Sequence, residues 1–179
     1  MEKNKLTEGY IQVYTGKGKG KTTAAIGQAL RAAGFGLKTY IFQFMKEFPY
    51  SELNSLKHLK EWITIEQFGG DDFVYKKEPP GKNEMDKAQR GLAAAKAKML
   101  SGKYDIIILD EVCVSIHFGL FSDEEILTFM KQKPENVELI LTGRYCPDKL
   151  LDKADLVTEM NEVKHYYQNG VASRKGIES

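Results

Sequence analysis

The chain has 179 residues, 42% of them hydrophobic and 28% charged, with a formal net charge of +1. That length suits one domain with one sizeable core, and the composition is that of an ordinary soluble globular protein. A near-neutral balance excludes the broad basic surface of a nucleic-acid or anionic-membrane binder.

The first eight residues read as a flexible or partner-dependent arm, leaving 9–179 as the folded domain. Met1 to Lys5 is polar and leads into no apolar stretch, so no signal peptide is expected. The longest apolar runs, such as Ile106 to Leu109, are too short to span a bilayer. Two cysteines, Cys113 and Cys146, form no C-x-x-C pair and fit a reducing cytosol, so a cytoplasmic location is expected.

Tyr10 to Tyr14 is β-branched and aromatic and predicts a strand. Gly16 to Gly20 is a loop. A helix follows from Lys21, with Ala24, Ala25, Ala29, Leu30 and Ala33 as its apolar positions, ending near Gly34 and Gly36. Lys38 to Phe44 predicts a second strand. Ser51 caps a short helix through Lys60, and Ile63 to Phe68 predicts a third strand. Residues 69–83 form a long irregular loop, of a length usually tied to function. Asn83 is the expected cap of the next helix, whose buried stripe is Met85, Ala88, Leu92, Ala95 and Met99, with Gly102 ending it. Asp105 to Asp110 is almost continuously apolar, as in a strand covered on both faces. Ser122 opens a helix to about Lys133. Glu138 to Thr142, Leu156 to Met160 and Lys164 to Gln168 complete the strands. Strands alternating with helices predict a single α/β domain with a mostly parallel central sheet flanked by helices.

The segment Thr15-Gly16-Lys17-Gly18-Lys19-Gly20-Lys21-Thr22-Thr23 lies between a strand and a helix. It matches the phosphate-loop pattern G-x-x-x-x-G-K-[ST], except that Thr15 replaces the first glycine. Glycines let backbone N–H groups turn inward around phosphate oxygens, and the helix N-terminus adds positive potential. Lys21 then supplies a point charge to the polyphosphate of ATP, and the Thr22 hydroxyl reaches a divalent metal. The strand ending Leu109-Asp110-Glu111 has the form of a Walker B strand. Asp110 or Glu111 is expected to hold Mg²⁺ (or Mn²⁺), directly or through water.

Phosphate loops serve kinases, GTPases, motor ATPases and group transferases alike. No Arg-rich lid supports a small-molecule kinase. Phe73 and Tyr75, in the long loop, suggest a flat hydrophobic ligand or packing at the domain edge. An NTPase or kinase acting at the γ-phosphate and a non-catalytic carrier remain alternatives to a transferase.

The phosphate loop, continued through Ala24-Ala25, resembles that of the ATP:corrinoid adenosyltransferases of vitamin B12 assimilation and synthesis. So do Gln43-Phe44-Met45-Lys46, Leu109-Asp110-Glu111, Leu141-Thr142-Gly143-Arg144 and Ala154 to Met160. Val163-Lys164-His165 and Gly176-Ile177-Glu178 follow in the same order. The resemblance implies a RecA-like P-loop fold, a homodimer, and transfer of the 5′-deoxyadenosyl group of ATP to a reduced Co(I) corrinoid with release of triphosphate. It implies a reductant, a flavoprotein, to supply Co(I). It also implies an ATP reversed relative to other P-loop enzymes, which leaves open the phosphate that meets Lys21. Co(I) is a soft nucleophile with no proton to lose, which agrees with the lack of a catalytic dyad in the sequence. Lys21, Thr22 and Glu111 become the catalytic set, with Gly16 to Thr23 binding ATP. Arg144 is placed near ATP phosphate or the corrinoid. Phe73 and Tyr75 match the aromatic pair that presses on the corrinoid and excludes its lower axial ligand, although Trp is usual at the second position. Lys17, Glu47, Tyr145 and Ser179 also depart from the common pattern.

Several residues keep two readings. Arg144 is either a ligand contact or part of an internal salt bridge. Lys46, ending a strand on the same sheet edge, is either a site residue or a solvated lysine. His165 is either a substrate contact or a core or surface histidine, and His58 and His117 have no metal-ligand spacing.

Overall fold

The computed structural model describes residues 4–70 and 78–178. Six strands form one sheet: β1 (Ile11–Thr15), β2 (Thr39–Phe44), β3 (Ile63–Phe68), β4 (Ile106–Asp110), β5 (Glu138–Thr142) and β6 (Leu156–Glu159). Their order is β3-β2-β4-β5-β1-β6, and every pairing is parallel. The helices are α1 (Lys21–Phe35), α2 (Ser51–Leu56), α3 (Lys82–Met99), α4 (Val112–His117), α5 (Asp123–Lys131) and α6 (Asp148–Leu151).

Side chains of a strand point alternately to opposite faces. In β4, Ile107 and Leu109 enter one apolar cluster while Ile106 and Ile108 enter the other. The strand is therefore apolar throughout because both faces are covered. The first cluster is closed by α3 and α5 and includes Ala88, Ala95, Met99, Ile126 and Phe129. The second is closed by α1 through Ala25, Ala29 and Ala32.

The α1 stripe has the expected helical spacing, but Leu30 points outward and is 55% exposed; small alanines face the sheet instead. In α3 the buried residues are Ala88, Gly91, Ala95 and Met99. Met85 is exposed and Leu92 only half-buried, so the helix meets the core from Ala88 onward. Gly91 takes the place expected for Leu92 because a Cβ there would stand 2.7 Å from Phe68 Cγ and 2.9 Å from Phe44 Cε1. This helix starts at Lys82 on Gly81, with no side-chain cap, so Asn83 lies inside it. Ser51 likewise is the first helical residue of α2 rather than its cap, and a 3₁₀ turn, Lys57–Leu59, follows. Ser122 does cap α5, in a reciprocal capping box with Glu125.

The expected strand at Lys164 to Gln168 is a 3₁₀ turn, Tyr166–Asn169. β6 already forms the sheet edge, and the chain leaves it to fold back toward the phosphate loop. Short α4 and α6 give too little periodicity to be read from sequence. Of the N-terminal arm, Asn4 donates to the Phe35 carbonyl and Leu6 packs on the second cluster. No described helix is long and apolar enough to cross a membrane.

Candidate active site

Open parallel sheets bind ligands at the carboxyl ends of their strands. Three non-glycine residues have positive φ among the described residues: Met45 (54°), Glu111 (63°) and Tyr145 (59°). All three lie just beyond the carboxyl ends of the central strands β2, β4 and β5. Left-handed backbone is disfavoured for such side chains and is retained where surrounding structure enforces it, often at functional sites.

The phosphate loop joins β1 to α1. Gly16 and Gly20 have φ of 96° and 120°, which a side chain would resist. Gly16 and Gly18 are also needed for close packing: a Cβ on either would stand 2.5 or 2.7 Å from the Met160 carbonyl oxygen. The Gly18 N–H donates to that oxygen at 2.6 Å, so this group braces the loop against the end of β6. Lys21 is buried and its ammonium donates to the Gly16 and Gly18 carbonyls at 2.9 and 2.7 Å. Burial lowers its pKa from the usual lysine value.

Asp110 is the hub of the floor. Its Oδ1 accepts from the Thr22 hydroxyl at 2.8 Å and the Thr142 hydroxyl at 2.6 Å. Its Oδ2 accepts from Lys46 at 2.7 Å and Gln43 at 3.1 Å. The carboxylate is 1% exposed. Burial alone would raise its pKa, but Lys46 and the two hydroxyls outweigh burial and hold it below the usual carboxylate range. For Lys46 the balance is similar: burial pulls its pKa down, and the charges of Asp110 and Glu111 push it above the ordinary value. Lys46 is therefore no solvated lysine.

Glu111 differs from its neighbour. Its carboxylate accepts no hydrogen bond among the described residues. Burial, then the charge of Asp110, raises its pKa, while Lys46, Lys21 and Arg144 oppose the shift. Arg144 is exposed and makes no ion pair among the described residues, yet its charge acts on both Lys21 and Glu111.

A cavity of about 630 Å³ opens above this floor, within the range of small-molecule sites. Thr22, Thr23, Lys46 and Glu111 line one side, Tyr50, Ser51 and Glu52 another, and Gly176 to Glu178 a third. Glu178 accepts from Lys19 at 2.9 Å, from Tyr166, and from Arg174, which ties the tail to the phosphate loop. An apolar groove of about 400 Å³ between α3 and α5 lies away from these groups.

Among the described residues no three His, Cys, Asp or Glu side chains converge as a metal cage. The donors present are the Thr22 hydroxyl and two carboxylates. Hard oxygen ligands completed by phosphate suit Mg²⁺, so these residues fit that ion.

The structure thus brings together Gly16 to Thr23, Asp110, Glu111 and Arg144. Lys17 is exposed at the loop crest. Phe73 and Tyr75 lie outside the described residues. Gln43, Thr142 and Glu178 were visible in the sequence only as members of resembling blocks, and Lys46 as one of two readings; their contacts with Asp110 and Lys19 were not visible.

The family model described as ATP:corrinoid adenosyltransferase BtuR/CobO/CobP matches residues 7–179. An uncharacterised protein of Nostoc sp. (strain PCC 7120) is 36% identical over 170 residues; the match covers 88% of this chain but 45% of that protein, so the chain spans about half its length. A corrinoid adenosyltransferase of Escherichia coli (strain K12) is 34% identical over 173 residues, covering 95% of this chain and 85% of the relative. Among solved structures, the flagellar accessory protein FlaH from Methanocaldococcus jannaschii has a TM-score of 0.56 over 86% of this chain and 72% of its own, at 15% identity, a likeness of fold alone.

Proposed function

The chain belongs to the ATP:corrinoid adenosyltransferase family, and we propose from that premise that it transfers the 5′-deoxyadenosyl group of ATP to Co(I) of a corrinoid, releasing triphosphate, in adenosylcobalamin synthesis or salvage. The observation that carries this reading is the family match over residues 7–179, supported by the buried Lys21 of the phosphate loop and the Lys46–Asp110 pair beside Thr22. In the transfer the Co–C bond forms as C5′–O breaks, and the electron pair of that bond leaves on the 5′ oxygen. Charge therefore grows on the triphosphate, and cations fixed in a partly buried site stabilise it without reorganisation. Positioning C5′ in line with cobalt supplies the rest.

In this mechanism the loop from Gly16 to Thr23 binds the triphosphate, and Lys21 moves from the loop carbonyls to a phosphate oxygen. Thr22, Asp110 and Glu111 would hold Mg²⁺, directly or through water, with the Asp110 carboxylate already accepting from the Thr22 hydroxyl. A divalent ion held by these residues would supply positive charge to the leaving triphosphate. Arg144 contacts phosphate or corrinoid. The resemblance supports Phe73 and Tyr75 as the corrinoid-facing aromatics, a flavoprotein as the source of the electron that makes Co(I), and a working homodimer.

An anaerobic assay with ATP, Mg²⁺ and chemically reduced Co(I) cobalamin tests the proposal. The expected result is a photolabile alkylcobalamin spectrum with one triphosphate released per transfer. ADP appearing without a cobalamin change would assign hydrolysis at the γ-phosphate instead, and saturable binding of both substrates without turnover would assign a carrier.

A further inference from the structure

Lys46 stands where chain direction alone would not put it. It follows β2, and the left-handed backbone at Met45 turns the chain there. Its ammonium comes to 2.7 Å from Asp110 Oδ2 and 3.3 Å from Thr22 Oγ1. It lies over the Tyr50 ring at 5.2 Å, and its side chain is 10% exposed. A monovalent cation thus already bridges the carboxylate and the hydroxyl that a divalent ion entering this floor must also use.

We propose that Lys46 is an internal counter-ion that competes with the metal, so that the divalent ion enters with the nucleotide and not ahead of it. Asp110 is a buried carboxylate and needs a cation at all times. Lys46 supplies it by covalent attachment, at an effective concentration no free ion matches. A metal arriving alone must displace this ammonium and leave it stranded in a buried place. A metal arriving with a triphosphate brings the anion to which the displaced ammonium turns, because Lys46 lines the same cavity as Thr22 and Glu111. Lys46 is therefore a positioning residue for metal and phosphate, distinct in role from Lys21, whose ammonium rests on loop carbonyls rather than on an acid. The inference rests on Thr22 facing the metal in the proposed function.

The test is metal binding without turnover. Thermal unfolding of the full chain is followed in EDTA and in rising Mg²⁺, with no nucleotide, for the wild type, Lys46→Met and Lys46→Gln. The wild type should show little change in Tm with Mg²⁺ alone. Both variants should unfold at lower temperature in EDTA, recover much of the loss in millimolar Mg²⁺, and bind Mg²⁺ at least about tenfold more tightly than the wild type. Equal Mg²⁺ responses in all three proteins would overturn the proposal. Failure of both variants to fold even with Mg²⁺ would do so too, since the metal would then be unable to stand in for the ammonium. A control separates this from the metal assignment itself: ATP should stabilise the wild type more with Mg²⁺ than with EDTA. If it does, and the variants gain nothing, only the Lys46 proposal falls; if ATP acts equally in both, the metal reading falls first.

Discussion

The Thr142 hydroxyl donates to Asp110 Oδ1 at 2.6 Å while its own oxygen accepts the Glu111 N–H at 3.0 Å. One side chain at the end of β5 thus holds both acidic residues at the end of β4. β5 is the strand that separates β4 from β1. Thr22 reaches Asp110 directly from the phosphate loop, and Thr142 bonds the same carboxylate oxygen from the intervening strand. Thr142→Val keeps the shape and removes both hydrogen bonds. It should cost about 1–3 kcal/mol, because the Glu111 N–H loses its partner and Asp110 Oδ1 loses one of its two donors. Chemical denaturation would register the loss, and an unchanged midpoint would show the bridge to be dispensable.

Lys21→Ala removes the ammonium proposed to stabilise the leaving triphosphate. Turnover should fall by roughly a hundred- to a thousandfold, the usual effect of deleting one charge-stabilising donor. Circular dichroism should stay native, since Lys21 bonds only to loop carbonyls. Near-normal turnover in a folded variant would remove Lys21 from the mechanism.

Gly91→Ala tests the packing of α3 on the sheet. The new Cβ would stand 2.7 Å from Phe68 Cγ. Overpacking of this kind costs about 1–3 kcal/mol, and alanine's better helix propensity offsets less than that. A fall in Tm is expected; a rise would mean that Phe68 yields freely.

Glu178→Gln should loosen the tail from the phosphate loop. Arg174, then Tyr166 and Lys19, hold the Glu178 carboxyl well below the usual carboxylate range. A depressed value means that the contact contributes above the free pKa of about 4.3 and is lost only as pH falls through the lower folded value. Docking should therefore be insensitive to pH from neutral to mildly acidic conditions, visible as a late-titrating Glu178 in carboxyl NMR. Trypsin should cut the variant after Arg174 and Lys175 several-fold faster, because local opening exposes those bonds. Equal cutting rates would mean that the tail does not depend on this carboxylate.

Phe73→Ala concerns the corrinoid side. It should slow the reaction from Co(II) corrinoid with a mild reductant more than the reaction from preformed Co(I). Equal losses from both starting states would remove its role in displacing the axial ligand.

Much of the site was legible because its chemistry is local. A phosphate loop needs glycines, a lysine and a threonine in a fixed order, and a Walker B acid needs an apolar strand before it. Both signals survive in the linear chain. Short α4 and α6, the 3₁₀ turn at Tyr166–Asn169 and the exposed Met85 and Leu30 were not legible. Their states follow from what lies beneath or beside them, and four to six residues are too few for a period to show.

The sequence by itself determined the α/β alternation, the phosphate loop, the acidic pair and the family. It did so because backbone propensity and motif spacing act over a few residues. Only the tertiary structure decided the division of labour between the two acids. Asp110 is neutralised by Lys46, just beyond β2, and hydrogen-bonded by Thr142 of β5, whereas the Glu111 carboxylate accepts no hydrogen bond among the described residues. It also placed Glu178 on Lys19, 159 residues away in the chain. Such assignments depend on burial and on charges brought together by strand order, and no spacing along the chain encodes them.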